Sequence, residues 1–296
     1  MTTRPFKIHV PDHKLERLRQ KLALTDYPTD DPTSPNQTWG RGVPSSEIRR
    51  LAMVWQTSFD WRKVEAQLNK FPQFLTSVEV EGFGSYDIHH IHSRSPRSDA
   101  VPLLFLHGWP GSFIEVTRIL EGLVQGADGS PVFHVIAPSL IDFGFSSSSG
   151  SKPFGMDQHA EALNGLMLAL GYNQYMIQSG DVGSLITRFI ALKYGRERCL
   201  AYHTNTSAPA EPTPATSPEV CAKMGETPLS NSEMKALERS AQFSKEGLGY
   251  YQQLSTKPQT IAYCLRDSPV GLLAWIYEKM HDWSDDYAWT DEEVLT

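Results

Sequence analysis

One short stretch constrains the fold of this chain more than any other. The apolar run Tyr172–Ile177 predicts a strand, and the run Leu185–Tyr194 predicts a helix after it. The residues between them, 178–184, read Gln-Ser-Gly-Asp-Val-Gly-Ser. Small residues on both sides of an apex let a strand and a helix approach each other closely. The sequence therefore predicts a strand, a tight turn and a helix, with the carboxylate of Asp181 held over a sheet edge.

The residue at this apex decides which chemistry the turn could support. A nucleophile elbow usually carries serine. A serine that displaced a leaving group from a saturated carbon would become an inert alkyl ether, whereas an aspartate becomes an alkyl ester whose carbonyl water can attack. Asp181 therefore suits epoxides or alkyl halides better than ordinary esters or amides. The alternative is that Asp181 only caps the following helix, as many aspartates in such turns do.

A second motif lies upstream of the first. The run Val101–Leu106 predicts a buried strand that leads into His-Gly-Trp-Pro-Gly-Ser at 107–112, and the amphipathic run Phe113–Leu123 predicts a helix. Glycine beside proline fixes a turn whose backbone N–H groups can point inward. In an elbow-type hydrolase one oxyanion donor follows the nucleophile and another follows an earlier strand. Val182 and Trp109 occupy those positions, although the second motif could also be a tight turn without a catalytic role.

The remaining pattern indicates an α/β fold. Strand-like runs alternate with helix-like runs such as Met156–Leu170. The strand-like runs are Ser77–Val80, Tyr86–His92, Val101–Leu106, Phe133–Ala137, Tyr175–Gln178 and Leu200–Asn205. This alternation predicts a mostly parallel sheet with helices on both faces.

Both flanks of this pattern are predicted to be helical. Residues 1–75 carry helix-period segments at Asp12–Leu24 and Ser45–Trp55, and amphipathic helices are predicted at Ser230–Leu254 and Pro269–Trp283. The intervening stretch Ser207–Pro228 is rich in proline, alanine, serine and threonine. We interpret it as the excursion from the sheet to a helical lid, with a disordered linker as the alternative.

Together these motifs resemble the epoxide hydrolases of the α/β-hydrolase superfamily, specifically the microsomal-type branch that includes fungal enzymes with an N-terminal extension. In this chain the segments that resemble the family's N-terminal extension are Trp39–Pro44, Phe59–Arg62 and Leu68–Phe74. The resemblance runs from a first strand-like segment near Ile8 to the last residue. It implies an N-terminal extension over residues 1–75, the first part of an α/β-hydrolase core over 76–206 and a helical cap over 207–296.

The resemblance also implies an activity, the opening of an epoxide to a vicinal diol through an aspartyl alkyl-ester intermediate. It makes Asp181 the nucleophile, with Trp109 and Val182 as backbone donors. A cap tyrosine that donates to the epoxide oxygen corresponds to Tyr250, although periodicity alone does not separate Tyr250 from Tyr251. Trp109, Phe113 and Tyr251 are the residues expected to bind substrate.

The chain departs from the family pattern at two places, one single residue and one dipeptide. The family usually has glycine where Ser179 stands, and proline-glycine where this chain has Ile141-Asp142. Serine is small enough for the elbow, so Asp181 is not placed in doubt. Asp142 is expected to bring an extra charge near the pocket rim, where it could alter substrate preference.

The chain stops at Thr296, in a segment that lies within the cap region of relatives. The resemblance therefore implies that the closing strands, the catalytic histidine with its acid partner and a second cap tyrosine are not in this chain. Of the ten histidines, His107 belongs to the oxyanion loop, and His89, His90 and His92 lie in one strand-like run. Histidines in one strand with no acidic or cysteine partners nearby are a poor metal site, so we expect neither metal nor cofactor.

Two alternatives remain open at this stage. The chain could be a truncated or degenerate relative that binds epoxides, or is alkylated by them, without turnover. It could also be a haloalkane dehalogenase-like hydrolase, which uses the same carboxylate elbow. The dehalogenases need no cap tyrosine and lack the N-terminal extension.

Composition limits the other classes of function. A length of 296 residues with 40% hydrophobic content allows a sizeable core, and a net charge of -7 with a pI near 5.8 argues against nucleic acid or an anionic membrane as a partner. The three cysteines are unpatterned, and Met1–Arg19 lacks the apolar core of a signal peptide. We therefore expect a cytoplasmic protein without a membrane anchor, whose partner is a small-molecule epoxide and whose open sheet edge is compatible with a homo-oligomer.

Overall fold

The computed structural model describes residues 2–28, 39–127, 129–150, 153–206, 212–226 and 228–296. The chain forms two compact units. The first joins Met1–His9 to Trp61–Ala208, and the second joins Val10–Asp60 to Pro209–Thr296. Residues 10–60 of the predicted extension thus group with the predicted cap, while the division at 75 and 206 stays a proposal.

The first unit contains a seven-stranded sheet within the described residues. Its strands are β1 (Thr3–Pro5), β2 (Gln73–Val80), β3 (Gly84–Ser93), β4 (Val101–Leu106), β5 (Phe133–Pro138), β6 (Tyr175–Ser179) and β7 (Cys199–Thr204). The spatial order is β1-β2-β3-β5-β4-β6-β7. The β1-β2, β2-β3 and β3-β5 pairs are antiparallel, whereas β5-β4, β4-β6 and β6-β7 are parallel. The α/β-hydrolase class is confirmed, with a mixed sheet that is parallel where the motifs lie.

The register of the parallel strands places the two motifs side by side. Leu106 at the end of β4 pairs with Ser179 at the end of β6, and Ser179 pairs with Thr204 at the end of β7. Loops that follow these strands therefore leave the sheet at one edge. In parallel α/β sheets this is the edge where ligand sites form.

Both faces of the sheet are covered. Neighbouring residues of a strand point to opposite faces, and the neighbours Leu103 and Leu104 are both buried, as are Val135 and Ile136. The covering helices of this unit are α3 (Trp61–Leu68), α4 (Leu120–Gln125), α5 (Met156–Ala169) and α6 (Asp181–Arg198).

Two predicted helices are interrupted. The predicted helix Phe113–Leu123 is a 3₁₀ segment, Phe113–Arg118, followed by α4. Its β-branched residues at 114, 116 and 117 are stiff at χ1 and favour α-helix weakly. The predicted helix Ser230–Leu254 is broken by a π-turn at Phe243–Gly247. A Cβ on Gly247 would collide with the ring of Phe243, so that turn requires glycine.

The regular elements of the second unit are all helices in its described residues. Its helices are α1 (Asp12–Ala23), α2 (Ser45–Thr57), α7 (Pro218–Glu226), α8 (Asn231–Gln242), α9 (Gly249–Thr256), α10 (Pro258–Asp267), α11 (Pro269–Asp282) and α12 (Asp291–Leu295). Leu22, Leu51 and Leu273 belong to one apolar core, so α1, α2 and α11 are held together by burial. Of the segment 207–228, residues 207–211 and 227 lie outside the described residues, and α7 occupies most of the rest. None of the helices described is long and apolar enough to cross a bilayer.

Candidate active site

The turn between β6 and α6 places Asp181 in an unusual backbone conformation. Its φ angle is 42°, in the left-handed region that non-glycine residues rarely adopt. The Asp181 N–H donates to Oγ1 of Thr206 at 2.9 Å, and its C=O accepts from Oγ of Ser184 at 2.6 Å. Backbone strain of this kind persists only where the surroundings fix it, and it clusters at functional sites.

Glycines around the turn are required by close approach. A Cβ on Gly183 would lie 2.7 Å from the carbonyl oxygen of His107 and 2.9 Å from that of Leu106. A Cβ on Gly180 would collide with the side-chain amide of Asn205. Helix α6 therefore starts directly against the end of β4, which explains why glycines are found on both sides of Asp181 in this turn.

The carboxylate of Asp181 is exposed, and it contacts the loop after β4. The backbone N–H of Trp109 donates to Oδ1 of Asp181 at 2.8 Å. A Cβ on Gly108 would collide with the Asp181 side chain, so glycine is needed here too. In the part of the chain that the structure describes, Val182 makes no hydrogen bond to this carboxylate, and its role as the second donor stays a prediction.

The serine in the elbow is accommodated by a hydrogen bond. Ser179 is fully buried, and its Oγ accepts from Oγ1 of Thr187 on α6 at 2.9 Å. The hydroxyl therefore finds a partner within the turn. This supports the expectation that serine at 179 leaves the elbow intact.

Asp142 turns its charge into its own loop. Its φ is 70°, the conformation that glycine would adopt without strain. Oδ1 accepts from Ser148 Oγ and the Ser149 N–H, and Oδ2 accepts from Ser149 Oγ, at 2.6–2.9 Å. Burial opposes ionisation, but these donors outweigh it and lower the pKa of Asp142. The extra charge expected at the pocket rim is thus internally compensated.

His107 is fixed in one neutral tautomer. Its Nε2 accepts from the Leu140 N–H at 3.1 Å, so the proton resides on Nδ1, which donates to the carbonyl oxygen of Gly108 at 3.0 Å. Burial lowers its pKa, against the opposing effects of that hydrogen bond and of the Asp181 charge. Both nitrogens are committed to backbone groups, so His107 shapes the loop and is not available as a base.

Glu115 is a carboxyl group that sequence reasoning missed. Glu115 is exposed by surface area, but its carboxyl group lies against the loop, where a Cβ on Gly111 would collide with it. Desolvation raises its pKa to about 7, hydrogen bonds from the Gly108 and Ser112 backbones oppose the shift, and the charge of Asp181 adds to it. The position of Glu115, three residues after the motif at 107–112, would have predicted its contact with this loop only together with the 3₁₀ geometry, which the sequence does not predict.

The other aromatic and histidine positions are mostly structural. Phe113 is buried, with its ring edge-on to His89 at 4.8 Å between centroids, and its assignment to substrate binding stays a prediction. His89 bonds Gln73 and Ser139 at 2.9 Å, and His90 bonds Thr76 at 2.9 Å. Within the described ranges, no group of three or more potential ligands could hold a metal ion.

In the second unit the structure separates the two cap tyrosines. The Tyr250 ring packs edge-on against Trp283, with 5.3 Å between ring centroids, and Nζ of Lys279 lies 4.8 Å from the centroid of the same ring. Tyr251 is 55% exposed. Tyr250 is therefore the one whose ring is held by packing, while the catalytic role of Tyr250 and the role of Tyr251 in substrate binding both stay predictions.

Comparison with known proteins agrees with this geometry. A family model for the epoxide hydrolase N terminus matches residues 3–116, and one for the α/β-hydrolase fold matches residues 101–227. The structure of Aspergillus niger epoxide hydrolase superimposes with a TM-score of 0.84 and 35% identity, over 100% of this chain and 74% of that one. This chain belongs to the epoxide hydrolase family.

Other epoxide hydrolases support this placement. Epoxide hydrolase 1 of Sus scrofa is 33% identical over 96% of this chain and 63% of its own length. The juvenile hormone epoxide hydrolase of the silkworm Bombyx mori superimposes with a TM-score of 0.87 at 27% identity, over 99% of this chain and 72% of that one. The chain spans 61–65% of the length of the first curated relatives it matches. Neither the dehalogenase nor the non-catalytic alternative is favoured by these matches.

Proposed function

We propose that this chain opens epoxides by nucleophilic attack of Asp181, in the reaction that gives a vicinal diol. The observation that supports it most is the Asp181 carboxylate itself. It stands at the apex of a strained strand-to-helix turn, exposed, with one oxygen held by the Trp109 N–H at 2.8 Å. A residue that only capped a helix would not need this conformation or a donor from another loop.

The two carboxylate oxygens have different roles in this proposal. Oδ1 of Asp181 accepts the Trp109 hydrogen bond, which leaves Oδ2 as the oxygen that attacks the epoxide carbon. A bond forms between Oδ2 and carbon while the carbon–oxygen bond of the ring breaks. Oδ1 becomes the carbonyl oxygen of the ester and stays beside its donor, where negative charge develops when water attacks. The Val182 N–H would supply a second donor at that stage.

The ring oxygen needs a proton as it leaves. In this proposal the hydroxyl of Tyr250 donates that proton to the developing alkoxide, as the resemblance to the family implies. A phenol suits the role because it stays neutral in the resting state and can still donate. Hydrolysis of the ester requires a base that activates water, and His107 is unsuited to that task because both of its nitrogens bond the backbone.

The substrate class follows from the nucleophile. A carboxylate that is repeatedly used must form a bond that water can cleave, and an alkyl ester meets this condition. Small-molecule epoxides are therefore the proposed substrates.

The experiment that tests this proposal compares the parent protein with Asp181→Asn. Asparagine keeps the size of the side chain and an oxygen that can cap the helix, but removes the charge. Styrene oxide should be consumed by the parent and not by the variant, while both proteins give the same thermal melt. Consumption at the parental rate by the variant would refute the assignment.

A further inference from the structure

A buried lysine in the second unit has no role in the scheme above. Lys279 on α11 is 5% exposed. Lysine is rarely buried to this extent unless its charge is paired. Its Nζ donates to both carboxylate oxygens of the neighbouring Glu278 at 2.7 Å. The cost of removing this ammonium from water calls for an explanation beyond the packing of α11.

The explanation lies in what the lysine faces. Nζ of Lys279 lies 4.8 Å from the centroid of the Tyr250 ring. Trp283, the residue that follows the end of α11, packs edge-on against the same ring with 5.3 Å between centroids. Residues four apart on a helix share a face, so a single face of α11 contacts the tyrosine twice. The ring is therefore contacted by two residues that lie four positions apart at the C-terminal end of α11.

We propose that Lys279 is a positioning residue for Tyr250, which fixes its ring through a cation–π contact and stabilises negative charge on the phenol oxygen when the hydroxyl gives up its proton. This inference rests on the proposed function, because it matters for catalysis only if Tyr250 is the acid. A positive charge near a phenol favours its ionised form, and the effect grows in a desolvated site. The carboxylate of Glu278 partly offsets that positive charge, so the Lys279–Glu278 pair sets how strongly the ionised form of the Tyr250 phenol is favoured.

Other charged groups lie in the same region and provide controls. Lys235, Arg239 and Asp282 line a cavity of about 670 Å³ that is also lined by Trp283. Lys235 is exposed on α8, and Arg239 pairs with Asp285 at 3.4 Å. Lys235→Met therefore removes the same charge as Lys279→Met from an exposed position on α8.

The first test measures ionisation of Tyr250 directly and needs no substrate. The full chain is labelled with ¹³Cζ-tyrosine, and the Tyr250 resonance is identified by its loss in Tyr250→Phe. Lys279→Met should raise the midpoint of Tyr250 ionisation by about one pH unit, which is a tenfold change in its ionisation constant. Glu278→Gln should lower it, and Lys279→Arg and Lys235→Met should leave it close to the parental value.

The second test measures the chemistry. The rate at which styrene oxide alkylates Asp181, followed by intact mass, should fall about three- to tenfold in Lys279→Met and recover in Lys279→Arg. In a Tyr250→Phe background the same substitution should have no further effect, since the lysine acts through the phenol. Thermal melts establish whether each variant is folded. If Lys279→Met does not fold, the test relies on Glu278→Gln and Lys279→Arg.

The outcomes separate this inference from the proposed function. Shifts of opposite sign in Lys279→Met and Glu278→Gln support the role of Lys279, because a purely structural lysine would not produce them. Unchanged titration in both variants, or shifts of the same sign, would overturn it. If the parent itself is not alkylated, the proposed function fails, and the titration still decides whether Lys279 tunes Tyr250.

Discussion

The N–H of Trp109 donates a 2.8 Å hydrogen bond to Oδ1 of Asp181, although 72 residues separate them in sequence. The contact exists because the β4 and β6 strands are parallel neighbours, which brings the loops that follow them to one sheet edge. It distinguishes the two oxygens of the Asp181 carboxylate before any substrate is present.

Tyr250 and Tyr251 should differ as catalytic groups. Tyr250→Phe should slow alkylation of Asp181 by styrene oxide, by up to about a hundredfold if proton donation carries the usual weight of general acid catalysis. Tyr251→Phe should have a much smaller effect, because its ring is largely exposed. Single-turnover rates from quenched samples measure both, and a larger loss in Tyr251→Phe would reverse the assignment.

Gly183 should not tolerate a methyl group. Gly183→Ala places a Cβ 2.7–2.9 Å from backbone oxygens of β4 and the loop after it, and overpacking of this kind costs about 1–3 kcal/mol. The Gly165→Ala variant is the matched control, because its Cβ would lie 3.7 Å from Val78, an ordinary contact inside helix α5. Urea unfolding should show a loss for Gly183→Ala and no loss for Gly165→Ala; equal effects would contradict the close approach.

Buried histidines should make the fold sensitive to acid. Burial lowers the pKa of His89 to about 4 and that of His90 to about 3, from the ordinary value of 6.5. Between pH 6.5 and 4 the unfolded chain therefore binds protons at these histidines that the folded chain does not bind. The stabilising contribution of the neutral histidines to the free energy of unfolding is thus fully present above pH 6.5 and is lost as the pH falls. For His89 alone the loss between pH 7 and pH 5 is about 2 kcal/mol.

Urea unfolding at the two pH values measures this loss. His90→Gln should flatten the dependence by removing one titrating group, and the exposed His13→Gln should leave it unchanged. A free energy of unfolding that is equal at pH 7 and pH 5 would show that these histidines are not buried in the neutral form.

An exposed apolar surface should promote self-association. Helix α6 exposes Leu185, Phe189 and Leu192, the last to 84%, and the edge strand β7 exposes Leu200 and Tyr202. Unpaired sheet edges and contiguous apolar patches are sites of association. Leu192→Lys should lower the sedimentation-average mass at high protein concentration while leaving the thermal melt unchanged. A parent protein that stays monomeric at all concentrations would contradict this.

The sequence was sufficient where local signals were strong. The strand Val101–Leu106 is observed with its predicted bounds, because a run of apolar residues ends at the turn formed by Gly108 and Pro110. The elbow was predictable from its small residues. The interruption of the predicted helix at Ile119 was not predictable, because it depends on weak helix propensity. The antiparallel half of the sheet was not predictable either, because it depends on pairing between distant segments.

The parts of the candidate site that the sequence did not predict all depend on tertiary contacts. Thr206, two residues after β7, accepts a hydrogen bond from the Asp181 N–H, and Glu115 reaches the loop after β4 from the 3₁₀ segment. Lys279 contacts the ring of Tyr250, a residue 29 positions earlier in the sequence. Nothing in the local pattern around any of these residues marks it as functional, whereas the turn around Asp181 carries its own signal.

The most direct measurement of the central claim is the mass of the protein after reaction with an epoxide. The 296-residue chain is incubated with styrene oxide, quenched in acid and digested. We predict a covalent adduct of one substrate mass on the peptide that contains Asp181, absent in Asp181→Asn and retained in Asp142→Asn, whose carboxylate bonds its own loop. A protein that forms neither an adduct on this peptide nor diol, or an adduct that persists in Asp181→Asn, would contradict the assignment of Asp181 as the nucleophile.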